Sequence, residues 1–208
     1  MPNPAPHRHR IARATALAAV AGALALAVAS QARPAEPPAA PADPAAAKVS
    51  RGAYLVAIGG CNDCHTPFKM GPHGAEPDMT MMLAGHPEKL EMPPAPAPSG
   101  PWIWSGAATN TAFAGPWGIS YARNLTPDKE TGMGRWSEAQ FVRAMRTGKH
   151  LGMESGRPIL PPMPWPGVAR MTDDDLSALF AYLQSVPPIK NAAPQSIPAP
   201  PPPAAPAG

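Results

Sequence analysis

The chain has two cysteines, Cys61 and Cys64, three residues apart, and a histidine directly follows the second: Cys61-Asn62-Asp63-Cys64-His65. Cys-x-x-Cys-His is the spacing at which c-type haem is attached. Two thiols at that separation can add across the two vinyl groups of one porphyrin, and the adjoining imidazole then lies beneath the iron. Three other chemistries use paired cysteines, and each fits less well. A thioredoxin-like redox pair belongs to an α/β pattern, whereas this pair follows a helical segment with no strand pattern near it. A structural zinc site takes four ligands, and no second cysteine pair or paired-histidine spacing completes one. A disulfide between Cys61 and Cys64 would close a very short loop and constrain little. The motif points to one covalent haem c with its iron, held by Cys61 and Cys64 with His65 as an axial ligand.

Haem attachment of this kind belongs outside the cytoplasm, and the N-terminus agrees. Arg8, Arg10 and Arg13 precede an apolar run from Ala14 to Ala29, which ends in Ser30-Gln31-Ala32. A basic start, an apolar middle and a small-residue exit form a secretory signal peptide over residues 1–32, giving a periplasmic protein. An uncleaved membrane anchor is the alternative, since the run is near the lower length for a span. The run is Ala-rich and its end resembles a cleavage site, which favours removal. Three of the 17 Lys and Arg lie in this segment, leaving 14 against 14 Asp and Glu. A balanced chain lacks the cationic field expected of a nucleic-acid partner. Two Pro/Ala tracts, Arg33 to Ala47 and Ala192 to Gly208, read as an extended linker and a disordered tail. Between them, 48–191 has the length of one domain.

Within that domain three helices are expected. Lys48 to Gly60 carries Tyr54, Leu55 and Ile58 on one side, has Ser50 as a candidate cap and ends at paired glycines. Ser137-Glu138-Ala139-Gln140 is a capping box opening a helix to about Thr147, with Gly148 as its stop. Thr172-Asp173-Asp174-Asp175 opens the last helix, where Leu176, Leu179, Phe180 and Leu183 recur at helical spacing and Pro187-Pro188 closes it. Phe68 to Pro101 reads as irregular chain, and the aromatic stretches at Trp102 to Trp104 and Phe113 to Trp117 are broken by Gly and Pro. No strand alternation stands out, so the expected class is all-α with long loops.

The region from Gly52 to Asn191 resembles the class I cytochrome c fold. Within that class it is similar to the bacterial c-type cytochromes that serve periplasmic dehydrogenases. The resemblance rests on Cys61 to Pro67, Asn124-Leu125-Thr126-Pro127-Asp128, Thr131 to Trp136, Pro162-Met163-Pro164 and Asp174 to Leu183. It implies class I cytochrome c-like helices around one covalent haem, with Gly52 of the first helix crossing Tyr182 of the last. It also implies an electron carrier, not an enzyme, passing electrons from a dehydrogenase to another cytochrome or an oxidase. Some relatives carry two haems; this chain has one attachment motif. Trp136 is expected either near the haem edge or as a staple before its helix.

The remaining choice is the iron's second axial ligand. A thioether there gives an electron carrier, while an open position gives a peroxidase-like or gas-binding protein. Met163 is the expected ligand. Its flanking prolines hold an extended segment that has little entropy left to lose. It also lies between the second and last helices, where the resemblance puts a ligand methionine. Met153, Met171 and His150 are the alternatives. His73, His86 and His150 otherwise read as surface residues. Arg143, Arg146, Lys149 and Arg157 form the local basic concentration, either a solvated face or a contact for haem propionates or an acidic partner.

Overall fold

A computed structural model of the protein describes residues 43–95 and 100–199. The expected signal segment, most of the expected linker and residues 200–208 lie outside them.

The first helix, α1 (Pro44–Ile58), begins earlier than its apolar pattern suggests. Asp43 caps it by accepting from the Ala45 N–H, and Pro44 supplies a preset φ at the first helical position. Pro44 to Ala47 is therefore helix and not linker, and Asp43 takes the capping role expected of Ser50. After a Gly59-Gly60 break, a single turn, α2 (Cys61–His65), carries the cysteine motif. The capping-box helix, α3 (Glu138–Thr147), starts at Ser137 with both reciprocal bonds formed and stops at Gly148 in the left-handed region. A short α4 (Trp165–Val168) follows. The last helix, α5 (Asp173–Ser185), is capped by Thr172. The Asp175 carboxylate pairs with Arg51 Nε of α1 at 2.9 Å.

The most extensive contact between elements is α1 against α5. Gly52 makes it possible. A Cβ there would lie 2.7 Å from Tyr182 Cβ and closer still to the Ala178 carbonyl oxygen, so any side chain would force the helices apart. Leu55 and Val56 of α1, Phe141 of α3 and Leu176, Leu179, Phe180 and Leu183 of α5 form the core with Leu83 and Met133. Trp136 packs against this cluster.

The all-α expectation is corrected by two small antiparallel sheets. One is the hairpin β1 (Phe68–Gly71) and β2 (Gly74–Pro77). The other runs β3 (Ser105–Gly106), β4 (Ala112–Gly115), β5 (Gly118–Tyr121) and β6 (Ile197–Pro198) in that order. Strands of two to four residues are too short to show a period of two, and the Gly and Pro that argued against helix here sit at the hairpin turns. β6 also corrects the expected boundary at Asn191. Ile197–Pro198 pairs with β5 and Ala193 is buried, so the domain extends about a strand beyond the last apolar helix.

The Asn124 motif ties the loops together. Asn124 Nδ2 donates to the Ile189 carbonyl at 2.7 Å, while its Oδ1 accepts from the backbone and hydroxyl of Thr126. Asn191 Nδ2 donates to the carbonyls of Ala84 and His86 at 2.7 and 2.9 Å. These amides satisfy backbone groups that no helix or strand pairs.

Candidate haem-binding site

The cysteine motif sits where α1 ends. Gly60 adopts φ 63°, a conformation that costs glycine little, and this turns the chain directly into α2. Cys61 and Cys64 lie one turn apart on α2, both partly buried, and neither is in a disulfide. Burial pushes both thiols above their ordinary pKa, and the Asp63 carboxylate adds to this. A disulfide-exchange pair works through a thiol of depressed pKa; these two are neutral at pH 7. Cys61 also packs against the hydrophobic core. Among the described residues, no group of three or more His, Cys, Asp or Glu is placed to hold a metal ion.

His65 is oriented by the chain around it. Its Nδ1 lies 2.7 Å from the Arg123 carbonyl oxygen. A carbonyl only accepts, so Nδ1 carries the proton and the lone pair resides on Nε2. Burial lowers the pKa of the ring, outweighing the opposing effect of that hydrogen bond, which keeps the imidazole neutral. A neutral imidazole with one nitrogen committed to a carbonyl is the form that binds iron, and the hydrogen bond raises its basicity.

The Arg123 carbonyl is itself held by a close approach. The Gly85 N–H donates to the His65 carbonyl at 2.7 Å, and the His86 N–H donates to the Ala122 carbonyl at 2.9 Å. Gly85 has φ 80°, and a Cβ on it would lie 2.7 Å from the Arg123 carbonyl carbon. The segment 83–86 can therefore lie against 122–125 only with glycine at this position. Nothing in the sequence pattern marks Gly85, because its neighbour is 38 residues away along the chain.

The donor set fits a covalent haem: two cysteines one turn apart, beside an imidazole whose Nδ1 is committed to the Arg123 carbonyl. The other expected ligand, Met163, is partly buried between α3 and α4, in a stretch that turns at Pro161-Pro162, where the Met163 N–H donates to the Leu160 carbonyl at 3.3 Å, and is not the extended segment expected. That stretch is fixed on β5, where Ser120 Oγ donates to the Pro161 carbonyl at 2.6 Å. Its rivals are committed elsewhere or open to solvent. Met171 packs on the core, Met153 is 49% exposed, and the His150 ring stands edge-on to Trp136 with centroids 5.2 Å apart.

Two sequence expectations change. His86 is fully buried, not a surface residue. Its Nε2 lies 3.1 Å from the Leu90 carbonyl, its Nδ1 lies 2.9 Å from Thr111 Oγ1, and its ring is tilted against Tyr121. The basic concentration also divides. Arg146 turns to Asp173 and the Ala169 carbonyl, and Lys149 to the Glu154 carbonyl. Arg157 instead lies in one group with His150 and Arg123, whose charges it perturbs. Arg123, distant in sequence, was not legible as part of it.

Comparison with known proteins gives the same picture. A family model described as Cytochrome c matches residues 49–187. A nicotinate dehydrogenase subunit of Pseudomonas putida is 34% identical over 149 residues, which are 72% of this chain and 9% of that protein. The gluconate 2-dehydrogenase cytochrome c subunit of Pantoea cypripedii is 32% identical over 147 residues, 70% of this chain and 25% of that one. The alcohol dehydrogenase (quinone) cytochrome c subunit of Gluconacetobacter polyoxogenes is 30% identical over 136 residues, 65% of this chain and 21% of that one. The chain thus spans a quarter or less of the length of each of these relatives.

Proposed function

The chain belongs to the cytochrome c family, which carries covalent haem c with iron, and on that premise we propose that it is a periplasmic one-electron carrier serving a dehydrogenase. Cys61 and Cys64 would form the two thioethers, and His65 Nε2 and the Met163 sulfur would ligate the iron. The observation that carries this reading is the His65–Arg123 hydrogen bond, which leaves Nε2 unprotonated beside Cys61 and Cys64 on the same turn.

The bound haem supplies a one-electron Fe(II)/Fe(III) couple. The chain's own residues set its surroundings. The Arg123 carbonyl fixes the orientation of the His65 ring, and Gly85 keeps that carbonyl in place. The proline-flanked Met163 segment, pinned to β5 by Ser120, holds a thioether with little freedom left to lose. A thioether opposite a histidine favours the ferrous state and closes the iron to small ligands, which suits a carrier more than an open-site enzyme.

The partner is inferred from the relatives named as cytochrome subunits of dehydrogenases; this chain would take electrons from such a dehydrogenase and pass them to another cytochrome or an oxidase. Export rests on the basic and apolar start of the sequence. Among the described residues no helix is long and apolar enough to cross a membrane. The test is expression in a host that attaches c-type haem in its periplasm, followed by denaturation. One haem should remain with each wild-type chain and none with the Cys61→Ala, Cys64→Ala double variant. Haem that stays with the denatured double variant would refute the assignment.

A further inference from the structure

The stretch from Met92 to Ala122 contains no Asp, Glu, Lys, Arg or His, and it supplies β3, β4 and β5. It leads into the sheet through Trp102, Ile103 and Trp104, which are 74%, 64% and 44% exposed. A single exposed apolar side chain is ordinary, but three in a row on an uncharged surface mark a place that another apolar group covers.

The rings lie along one end of the sheet. Ser105 pairs with Ala114 and Gly115 with Gly118, so Trp104 precedes β3 at the end where β4 turns into β5. There the Trp117 ring lies over Gly115, where an added Cβ would stand 2.6 Å from it. Trp104 meets Phe113 edge-on with centroids 6.0 Å apart. This side of the sheet already takes proline-rich chain, since Pro93, Pro94 and Ala95 line a groove with Phe113 and Ile119.

The last strand leaves at that same end. Pro198 pairs with Gly118, and the Ala199 N–H donates to the Trp117 carbonyl at 3.2 Å. The sequence then runs Pro200-Pro201-Pro202-Pro203-Ala204, and from Asn191 onward it too carries no charge. β6 and β3 are the two edges of the four-stranded sheet. The strand spacings between them amount to about 15 Å, which about five residues of polyproline chain cover at roughly 3.1 Å each. Such chain has little entropy left to lose. An indole offers it a flat face for the proline rings and an N–H for its unpaired carbonyls.

We propose that Trp117, Trp104 and Trp102 form a docking surface for the chain's own Pro200 to Pro203 run. Neither haem nor iron takes part, so the site stands apart from the electron-transfer function. Tethered through Ala199, the run meets the rings at an effective concentration in the millimolar range, which populates a weak contact at room temperature. A contact that weak adds little at the melting temperature.

The experiment records the tryptophan indole N–H resonances of the ferrous, haem-loaded protein by NMR, assigned through single Trp→Phe variants. The full chain is compared with a chain ended at Ala199 and with a full-length variant in which Pro200, Pro201, Pro202 and Pro203 are all changed to Ser. The expected result is that Trp102, Trp104 and Trp117 shift in both altered proteins, while Trp136 and Trp165 stay in place and report an intact fold. A synthetic peptide of residues 200–208, added at millimolar concentration to the chain ended at Ala199, should return the three resonances toward their full-length positions. Identical spectra for the full chain and both altered proteins would overturn the proposal. So would shifts that grow with protein concentration, which would assign the surface to a second copy of the chain. Resonances that move with phosphatidylcholine vesicles but not with the peptide would assign it to a lipid surface and overturn the proposal equally.

Discussion

Gly85→Ala should destabilise the protein and disturb the iron at once. An alanine at φ 80° meets left-handed strain of about 1–2 kcal/mol. Its Cβ would also stand 2.7 Å from the Arg123 carbonyl carbon and 2.8 Å from its oxygen. Backbone cannot swing aside as a flexible side chain can, so the two segments must separate. Overpacking of this kind costs about 1–3 kcal/mol. Together the two effects give about 2–5 kcal/mol, and at roughly 2–4 °C per kcal/mol for a domain of this size the melting temperature should fall by around 10 °C. Thermal unfolding of the haem-loaded protein measures the first effect. The reduction potential measures the second, because moving the Arg123 carbonyl weakens its hold on His65 Nδ1. Gly100→Ala separates the terms: Gly100 also has positive φ, at 59°, but among the described residues a Cβ there meets nothing within 4 Å, so it should show the strain alone. A Gly85→Ala protein that melts within 2 °C of wild type with an unchanged potential would refute the argument.

Met163→Ala should abolish the thioether–iron absorption band near the red edge of the ferric spectrum, lower the midpoint potential markedly and admit carbon monoxide or cyanide; a native spectrum would place the ligand elsewhere. Acid should destabilise the fold through His86. Burial holds its folded pKa below the ordinary value, so the unfolded chain binds the extra proton and stability falls as pH drops through about 6.5. Melting scans from pH 7 to pH 5 should show that decline, and His86→Gln should be flatter over the same range although less stable at pH 7; an equal slope in both would assign the decline to other groups. Ending the chain at Asn191 should lower the melting temperature, since it removes the β5–β6 pairing, buried Ala193 and the carbonyls that bind Arg123. Ending it at Ala199 should not.

What was legible in the sequence was local. Ser137, Gln140 and Gly148 mark the limits of α3 because a capping box and a left-handed stop are made within a few residues. Thr172 and the apolar spacing of α5 are equally local. Gly52 opposite Tyr182 came from the family resemblance, and the close approach at Ala178 gives its physical reason. What escaped depends on contacts between distant segments. His86 is buried by a partner 25 residues on, and its exposed-looking surroundings of Gly, Pro and Glu hide this. Arg123 enters the site through its carbonyl, a group every residue has, so no side-chain pattern could point to it. The strands were missed because each is short and the glycines at their turns resemble loop.

The central claim is a single haem doing one-electron chemistry, against a dithiol doing two-electron chemistry. An optical redox titration of the purified, exported protein decides between them. The account predicts one reversible transition in the haem α band, fitting a one-electron Nernst slope, with one haem per chain. A protein with no haem band, whose Cys61 and Cys64 titrate between dithiol and disulfide with a two-electron slope, would contradict it.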